Sequence, residues 1–584
     1  MSHRRTFLKQ LGLATAATTA VGTGAGAATG TSTTDEGLNI EGGSGSEFDY
    51  PWQFIGRRSA VMAQNGMVAT SHPLAAQVGI QTLQNGGNAA DAAVSTAAML
   101  NFVEPHMTSI AGDMFALTHF DGEFKALNGS GRAPAAADID TYCERIDESE
   151  DGEPTIPAEG GLPVTIPGAV DGFHQLIDRY GTQELADVFQ PTIEYARQGV
   201  PVTEYVAAQW EEAAPRVEGF DSFAETFLPD GRPPQPEEVF SNPAFADSLE
   251  RIAEDGIETF YGGDLGQEIV EIVQEHDGVM ELSDLENHES TWGDPISTEY
   301  RGVEVLEHPP NTQGVVALQA LNLLENFDVS DDPTDPERLH RMIEAVKIAF
   351  ADAYEFVTDP EAEQIPIETM LSKEYANDRV SEIGSSVGEY EPRADRQSDT
   401  VYLTVVDGDG NAVSLINSGY YPFASGLVVG GFALQNRGFS FSLDPDDANA
   451  LEPGKRPFHT LVPAMLAEDG EFRGSFGVMG GDMQPQGHAQ VVMNMVDSGL
   501  NPQAAIDAPR FRFMGDHEVT LETSRLPEGT VDDLRERGHD VITEEEYFVP
   551  DAGHYGGAQL IYRTEDGKLI GGSEPRRDGH AVGF

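Results

Sequence analysis

From Thr400 onward the texture of the chain changes, and that change constrains the fold more than any other feature. Thr400-Val-Tyr-Leu-Thr-Val-Val406 carries β-branched and aromatic residues at strand density, Asp407-Gly-Asp-Gly-Asn411 supplies turn residues, and Ala412-Val-Ser-Leu-Ile416 resumes the strand pattern. A hairpin is predicted here. Upstream, helical periodicity dominates: helices are expected over Ala169 to Tyr180, Gln183 to Gln198, Pro243 to Asp255, Leu265 to His276 and Pro336 to Val357, with strands scattered between them. Asn85-Gly-Gly-Asn-Ala-Ala-Asp91 reads as a tight turn that caps a small-residue helix from Ala92 to Leu100, packed closely through its alanines. Val164 to Phe173 places Pro167 and Gly168 at a strand-to-helix turn.

With 584 residues, 39% of them apolar, the chain can bury large cores, so its acidity is not the acidity of a disordered segment. The net charge of −65 opposes phosphate, which argues against nucleic acid and anionic lipid as partners. Only Lys9, Lys125, Lys347, Lys373, Lys455 and Lys568 are lysines; acid excess with lysine depletion is the surface of a halophile-type protein, kept hydrated where salt screens charge. Cys143, the single cysteine, excludes an intrachain disulfide and a Cys-rich zinc site and is read as a buried small side chain. Arg4-Arg5 followed by an uncharged Ala/Gly/Thr-rich run reads as a twin-arginine export signal over residues 1–28, and residues 29–50 as a flexible acidic Gly/Ser linker. An exported, extracellular or cell-surface, soluble protein without a membrane anchor is expected.

Two local patterns fail on inspection. Asp407, Asp409 and Asn411 alternate like a calcium loop, but Ala412 stands where the bend needs glycine and Ser418 where the loop needs a bidentate glutamate. Gly384-Ser-Ser-Val-Gly388 fits a serine elbow without the strand that an elbow requires. No metal and no cofactor are expected.

Six segments taken in order are similar to the gamma-glutamyltransferases, N-terminal-nucleophile (Ntn) amide hydrolases that include cephalosporin-acylase-like members. They are Gly86 to Asp91, Val164 to Gly168, Glu344-Ala-Val-Lys347 to Asp359-Pro360, Asp399-Thr400 ahead of Val405-Val-Asp407, Gly454 to Pro457, and Met479-Gly480-Gly481. Leu434-Gln-Asn-Arg-Gly438 and Phe476 to Gln484 look closer to homologues of uncertain substrate than to the glutathione enzymes. The resemblance implies an α/β (α+β) fold, the Ntn-hydrolase four-layer αββα sandwich with a helix-rich large-subunit portion. It implies self-cleavage between Asp399 and Thr400 into a large chain (residues 51–399) and a small one (residues 400–584). Freed at its amine, Thr400 would act as nucleophile with its own α-amine as base, since that amine titrates near neutral pH.

Other roles follow from the same resemblance, each beside a structural alternative. Gly480 and Gly481 would bind the oxyanion through backbone N–H groups, or simply make a packing turn. Ser418 stands where a second hydroxyl positions the nucleophile, or is a strand-end serine. The family's amine-holding acid falls at Ser440, its companion polar positions at Arg437 and Tyr420, its paired serines at His459 and Thr460, and its carboxylate-clamping arginine at Ser130. Arg132, two residues on, either supplies that fork from a shifted loop or serves as a structural ion-pair partner. The expected activity is hydrolysis of gamma-glutamyl amides such as glutathione, with water or an amine as acceptor. The alternatives are an acylase on a glutaryl or cephalosporin-type amide, and an exported solute-binding protein without catalysis.

Overall fold

The computed structural model describes residues 58–146, 154–390, 399–543 and 554–584. The expected export signal at 1–28 and the expected linker at 29–50 lie outside the described residues.

Two seven-stranded antiparallel sheets face each other. The first runs, in spatial order, Val61–Ala63, Leu569–Ser573, Gly557–Arg563, Glu471–Met479, Ala464–Glu468, Val303–Glu307 and Ile296–Tyr300; the second runs His580–Gly583, Gly66–Thr70, Asp399–Asp407, Ala412–Tyr420, Asp113–Phe120, Glu123–Gly129 and Thr291–Gly293. The predicted hairpin is therefore the middle of the second sheet. Its strands are buried on both faces, and their alternation sorts side chains to two cores. Val401, Leu403 and Val405 face outward onto the alanine-rich helix Ala89–Val103. Tyr402 and Thr404 face the other sheet: Thr404 Oγ1 donates to Ser475 Oγ at 2.6 Å, and the Tyr402 ring lies where a Cβ on Gly477 would sit 2.4 Å from it. Met67, Leu117, Val406, Met465 and Ile561 fill the space between the sheets. On the far face, Phe476, Val478 and Leu560 pack under Gly314–Leu324, Pro336–Phe356 and Met483–Val496. Helices, sheet, sheet, helices make the expected αββα sandwich.

The alanine helix explains its own motif. Asn88 and Asp91 form a reciprocal capping box, and Asp91 also accepts from Thr182 and Gln183, so Gly86 to Asp91 ties this helix to the turn between Ala169–Tyr180 and Leu185–Gln198. Helices at Ala169–Tyr180 and Pro243–Asp255 fall where periodicity places them; the others shift by one or two residues, Leu185–Gln198, Asp264–Glu275 and Pro336–Phe356, and the capped helix extends to Ala89–Val103. Ahead of Thr400, however, the chain also gives seven strands to the two large sheets, more sheet than its texture suggests.

Cys143 is exposed, contrary to expectation: the short helix Ile139–Arg145 turns Tyr142 inward and leaves its neighbour in solvent. The Asp407 carboxylate is spent on the backbone, accepting from Asp409, Asn411 and Ala89, which fixes the hairpin turn instead of a cation. Gly384 to Gly388 is loop. Among the described residues no helix is long and apolar enough to cross a membrane.

Candidate active site

Thr400 is fully buried near the head of the strand Asp399–Asp407. The ladder slips beside it: Asp399 pairs with Tyr420 and Val401 with Asn417, so Ser418 and Gly419 together oppose Thr400 in a bulge. A bulge re-aims the side chains next to it. Thr400 Oγ1 donates to Ser418 Oγ at 3.4 Å, and the same oxygen accepts the Tyr420 N–H at 2.8 Å.

Across the sandwich, Tyr402 meets Gly477 and Thr404 meets Ser475, so the two strands run in opposite senses. Continuing that pattern by two residues brings Thr400 level with Met479, where the facing strand ends in Gly480-Gly481. Both glycines have positive φ, 126° and 62°, a region that a Cβ disfavours. Their carbonyls are tied down by Met483 N–H, Gln484 N–H and Gln313 Nε2, which fixes the peptide planes at the start of the helix Met483–Val496. Helix N-termini favour developing negative charge.

Tyr420 has a φ of 88°, unusual for a residue with a side chain, and the Arg437 guanidinium lies 3.8 Å from the centre of its ring. Arg437 is fully buried and donates to Thr460 Oγ1 at 3.1 Å. Ser440 Oγ donates to the Arg437 carbonyl at 2.9 Å. Thus Thr400, Ser418, Tyr420, Arg437, Thr460 and Ser440 form one continuous set of contacts.

His459 sits behind them. Its Nδ1 accepts from Leu461 N–H at 3.2 Å, which assigns the proton to Nε2, and Nε2–H donates to Asp113 Oδ2 at 2.9 Å. Burial, reinforced by Arg437 and His308, holds His459 well below the usual histidine range, so it is neutral. Burial pushes Asp113 up to about 7, against the opposing pull of Arg437, Gly131 N–H and Gln435. Asp113 was not anticipated; the only signal was an acid heading the apolar run Met114 to Leu117.

Ser130 and Arg132 flank Gly131, whose N–H donates to Asp113 Oδ1 at 2.8 Å. Ser130 Oγ accepts from Asn311 Nδ2, and its carbonyl accepts from Arg456 Nε. Arg132 pairs with Asp359 at 3.3 Å and Glu361 at 2.9 Å, and donates to the Gly454 carbonyl. Its geometry is that of an ion-pair partner.

A second cluster explains the Glu344-Ala-Val-Lys347 motif. His340, Glu344 and Lys347 project from one face of Pro336–Phe356; His340 Nε2 lies 3.0 Å from the Gly384 carbonyl, Glu344 accepts Gly388 N–H, and Lys347 donates to both Glu344 and the Gly388 carbonyl. The loop from Gly384 to Gly388 is thereby pinned to the core. His340, Glu344 and His539 have metal-compatible spacing, but Lys347 already places a cation on Glu344, and His340 lies 2.8 Å from His539.

Facing antiparallel sheets between helical layers, with a buried threonine heading a central strand opposite a glycine turn, define an Ntn-hydrolase-type enzyme. The chain belongs to the gamma-glutamyltranspeptidase family, whose model matches residues 75–584. Threonine-dependent hydrolase activity comes with that family, which removes the non-catalytic binding protein from consideration. The chain is 40% identical to the glutathione hydrolase-like YwrD proenzyme of Bacillus subtilis over 540 residues, covering 90% of this chain and 99% of the relative. It is 33% identical to the oxamate amidohydrolase proenzyme of Klebsiella pneumoniae over 543 residues, covering 90% and 100%. Among solved structures it is similar to the cephalosporin acylase from Bacillus halodurans, with a TM-score of 0.85 and 43% identity across 90% of this chain and 97% of that one.

Proposed function

We propose that the protein is a self-cleaving N-terminal-threonine amidohydrolase of the acylase kind, acting on an amide whose acyl group is not gamma-glutamyl. The observation that carries this reading is the pairing of Thr400 with Ser418 at the bulge. In the precursor, Thr400 Oγ attacks the Asp399 carbonyl carbon and the peptide C–N bond breaks, leaving an ester and a free α-amine. Water then hydrolyses the ester, releasing the Asp399 carboxylate and restoring the hydroxyl. The new α-amine serves as base for the next attack, on substrate, and returns its proton to the leaving amine. Gly480 and Gly481 receive the tetrahedral oxyanion on backbone N–H groups. Ser418 Oγ orients the nucleophile.

The case against a gamma-glutamyl donor is chemical. Such a donor carries an α-ammonium that needs an acid and an α-carboxylate that needs a cation. The acid's position holds Ser440, whose hydroxyl is turned to the Arg437 carbonyl, and Arg132 is turned to Asp359 and Glu361. The relatives named above differ in substrate and share an amide or related acyl bond, which fits a common nucleophile behind a variable acyl pocket.

Thr400→Ala tests the reading. One hydroxyl serves both reactions, so the variant should remain a single chain on a denaturing gel and hydrolyse no acyl anilide, while wild type releases the 400–584 fragment. Thr400→Ser should cleave slowly and keep partial activity. A split Thr400→Ala chain would place the nucleophile elsewhere.

A further inference from the structure

Gln313 joins two loops of the candidate site. It stands at the head of the helix Gly314–Leu324 and is fully buried. Its backbone N–H donates to the His459 carbonyl at 3.1 Å, and His459 N–H donates to the Asn311 carbonyl at 2.9 Å, so the residue is itself fixed beside residues 459 and 460. From there the side-chain amide spans the gap: Nε2 donates to the Thr460 carbonyl at 2.8 Å and to the Gly481 carbonyl at 3.0 Å.

The bond to Gly481 falls where the chain has least stiffness of its own. Glycine leaves φ and ψ open, so contacts must impose the orientation of the Gly480-Gly481 peptides. Met483 N–H on the Gly480 carbonyl and Gln484 N–H on the Gly481 carbonyl come from the helix that follows the turn, and would move with it. Gln313 Nε2 reaches the same carbonyl from a separate segment. The amide does this at a cost. Both Nε2 hydrogens lie on carbonyls, so turning the amide over would set Oε1 against two oxygens, which determines its orientation. Oε1 is then buried without a hydrogen-bond partner among the described residues. An unsatisfied buried acceptor lowers stability. Methionine would fill a similar volume without that loss, so what the amide supplies is orientation.

We propose that Gln313 is a positioning residue for the reaction, acting through the Gly480-Gly481 turn by holding its N–H groups toward the oxyanion without touching substrate. This rests on the function proposed above, in which those N–H groups receive the tetrahedral oxyanion. Contacts made only once the oxyanion forms act on kcat and leave substrate binding alone.

Hydrogen exchange and kinetics test it together. In the Thr400→Ala background, which needs neither cleavage nor substrate, adding Gln313→Met should leave the Tm within about 3 °C of the parent. Amide exchange across residues 480–484 should rise at least about threefold, with the remote helix Pro243–Asp255 unchanged. The mature two-chain enzyme is assayed with the p-nitroanilides of acetic, glutaric and gamma-linked glutamic acid. On the anilide that wild type hydrolyses fastest, Gln313→Met should lower kcat at least about tenfold with KM within about threefold. Gln313→Glu adds a pH signature: its neutral carboxyl keeps one donor and its carboxylate none, so kcat relative to wild type should fall as pH rises through that group's titration. If Gln313→Met matures too slowly to assay, its rate of self-cleavage takes the place of kcat, read beside the Tm and the exchange. A double variant that does not fold, or that exchanges across the turn at the parent rate, would overturn the tether. Faster exchange with kcat unchanged, or a loss carried by KM, would overturn its part in the reaction. A wild type that splits at Asp399-Thr400 and hydrolyses none of the three anilides would count against the amidohydrolase reading, and the exchange comparison would still decide the tether.

Discussion

Ser418 gives one oxygen to two donors, Thr400 Oγ1 and Tyr420 N–H, inside a core that excludes water. Removing the hydroxyl strands a buried backbone donor and frees the nucleophile's rotamer together. Ser418→Ala is therefore expected to lose about 1–3 kcal/mol of stability and to slow self-cleavage, while Ser418→Thr keeps the acceptor and stays close to wild type. Denaturant midpoints and the time course of fragment release check both halves; an Ala variant that cleaves at the wild-type rate would remove the positioning role. At this scale the sequence was legible wherever one position carries one chemistry. The family to which the Thr400 and Gly480-Gly481 motifs point could be found by motif. Arg132 against Arg437 could not, because the choice depends on which carboxylates the fold brings to each guanidinium, and Asp359 and Glu361 lie more than 200 positions from Arg132. Asp113 escaped notice for the same reason: its partners come from three other segments.

The strands Asp399–Asp407 and Glu471–Met479 meet across the sandwich through an aromatic ring lying on a glycine. A methyl at Gly477 would sit 2.4 Å from Tyr402 Cε2, and the ring is itself fixed by a 2.7 Å contact between its hydroxyl and Ser414 Oγ. Gly477→Ala must push the ring or the strand, and overpacking of this kind costs about 1–3 kcal/mol. Because Tyr402 lies two residues from Thr400, the displacement should also slow self-cleavage. Tyr402→Leu, which vacates part of the ring's volume, should recover part of the Gly477→Ala loss in a double-mutant cycle; additive losses would show that the two residues are not in contact. Helices with a strong apolar stripe, such as Pro243–Asp255, were readable to the residue because the stripe fixes their length. Upstream strands such as Asp113–Phe120 were not, since burial on both faces erases the alternation that marks a strand.

At the scale of the molecule, both sheets draw strands from either side of the Asp399-Thr400 bond, so the proposed cut there would divide one core and leave no separable halves. Stability after cleavage then rests on that shared interior, and its titratable groups set a pH dependence. Burial lowers His72, His106, His288 and His308 to about 4, and His539 and His554 to about 3. A group depressed in the folded state contributes stability above its unfolded pKa, near 6.5, and loses it as pH falls toward the folded value. Glu104 and Asp113, raised to about 7, and Asp507, raised to about 6, work in the opposite sense, their stabilisation being lost as pH rises. The histidines are more numerous, so on the order of 5 kcal/mol should be lost between about pH 7 and pH 5. The net charge of −65 would obscure this, because protonating surface carboxylates relieves repulsion over the same range. In about 1 M salt the screening length shrinks to roughly 3 Å and the surface contribution falls away, while buried groups are screened far less. Thermal unfolding of the mature protein in high salt should therefore give a Tm that falls steadily from pH 7 to pH 5, with net proton uptake on unfolding. A Tm that held constant or rose over that interval would mean that the buried carboxylic acids, and not the histidines, govern the acid limb.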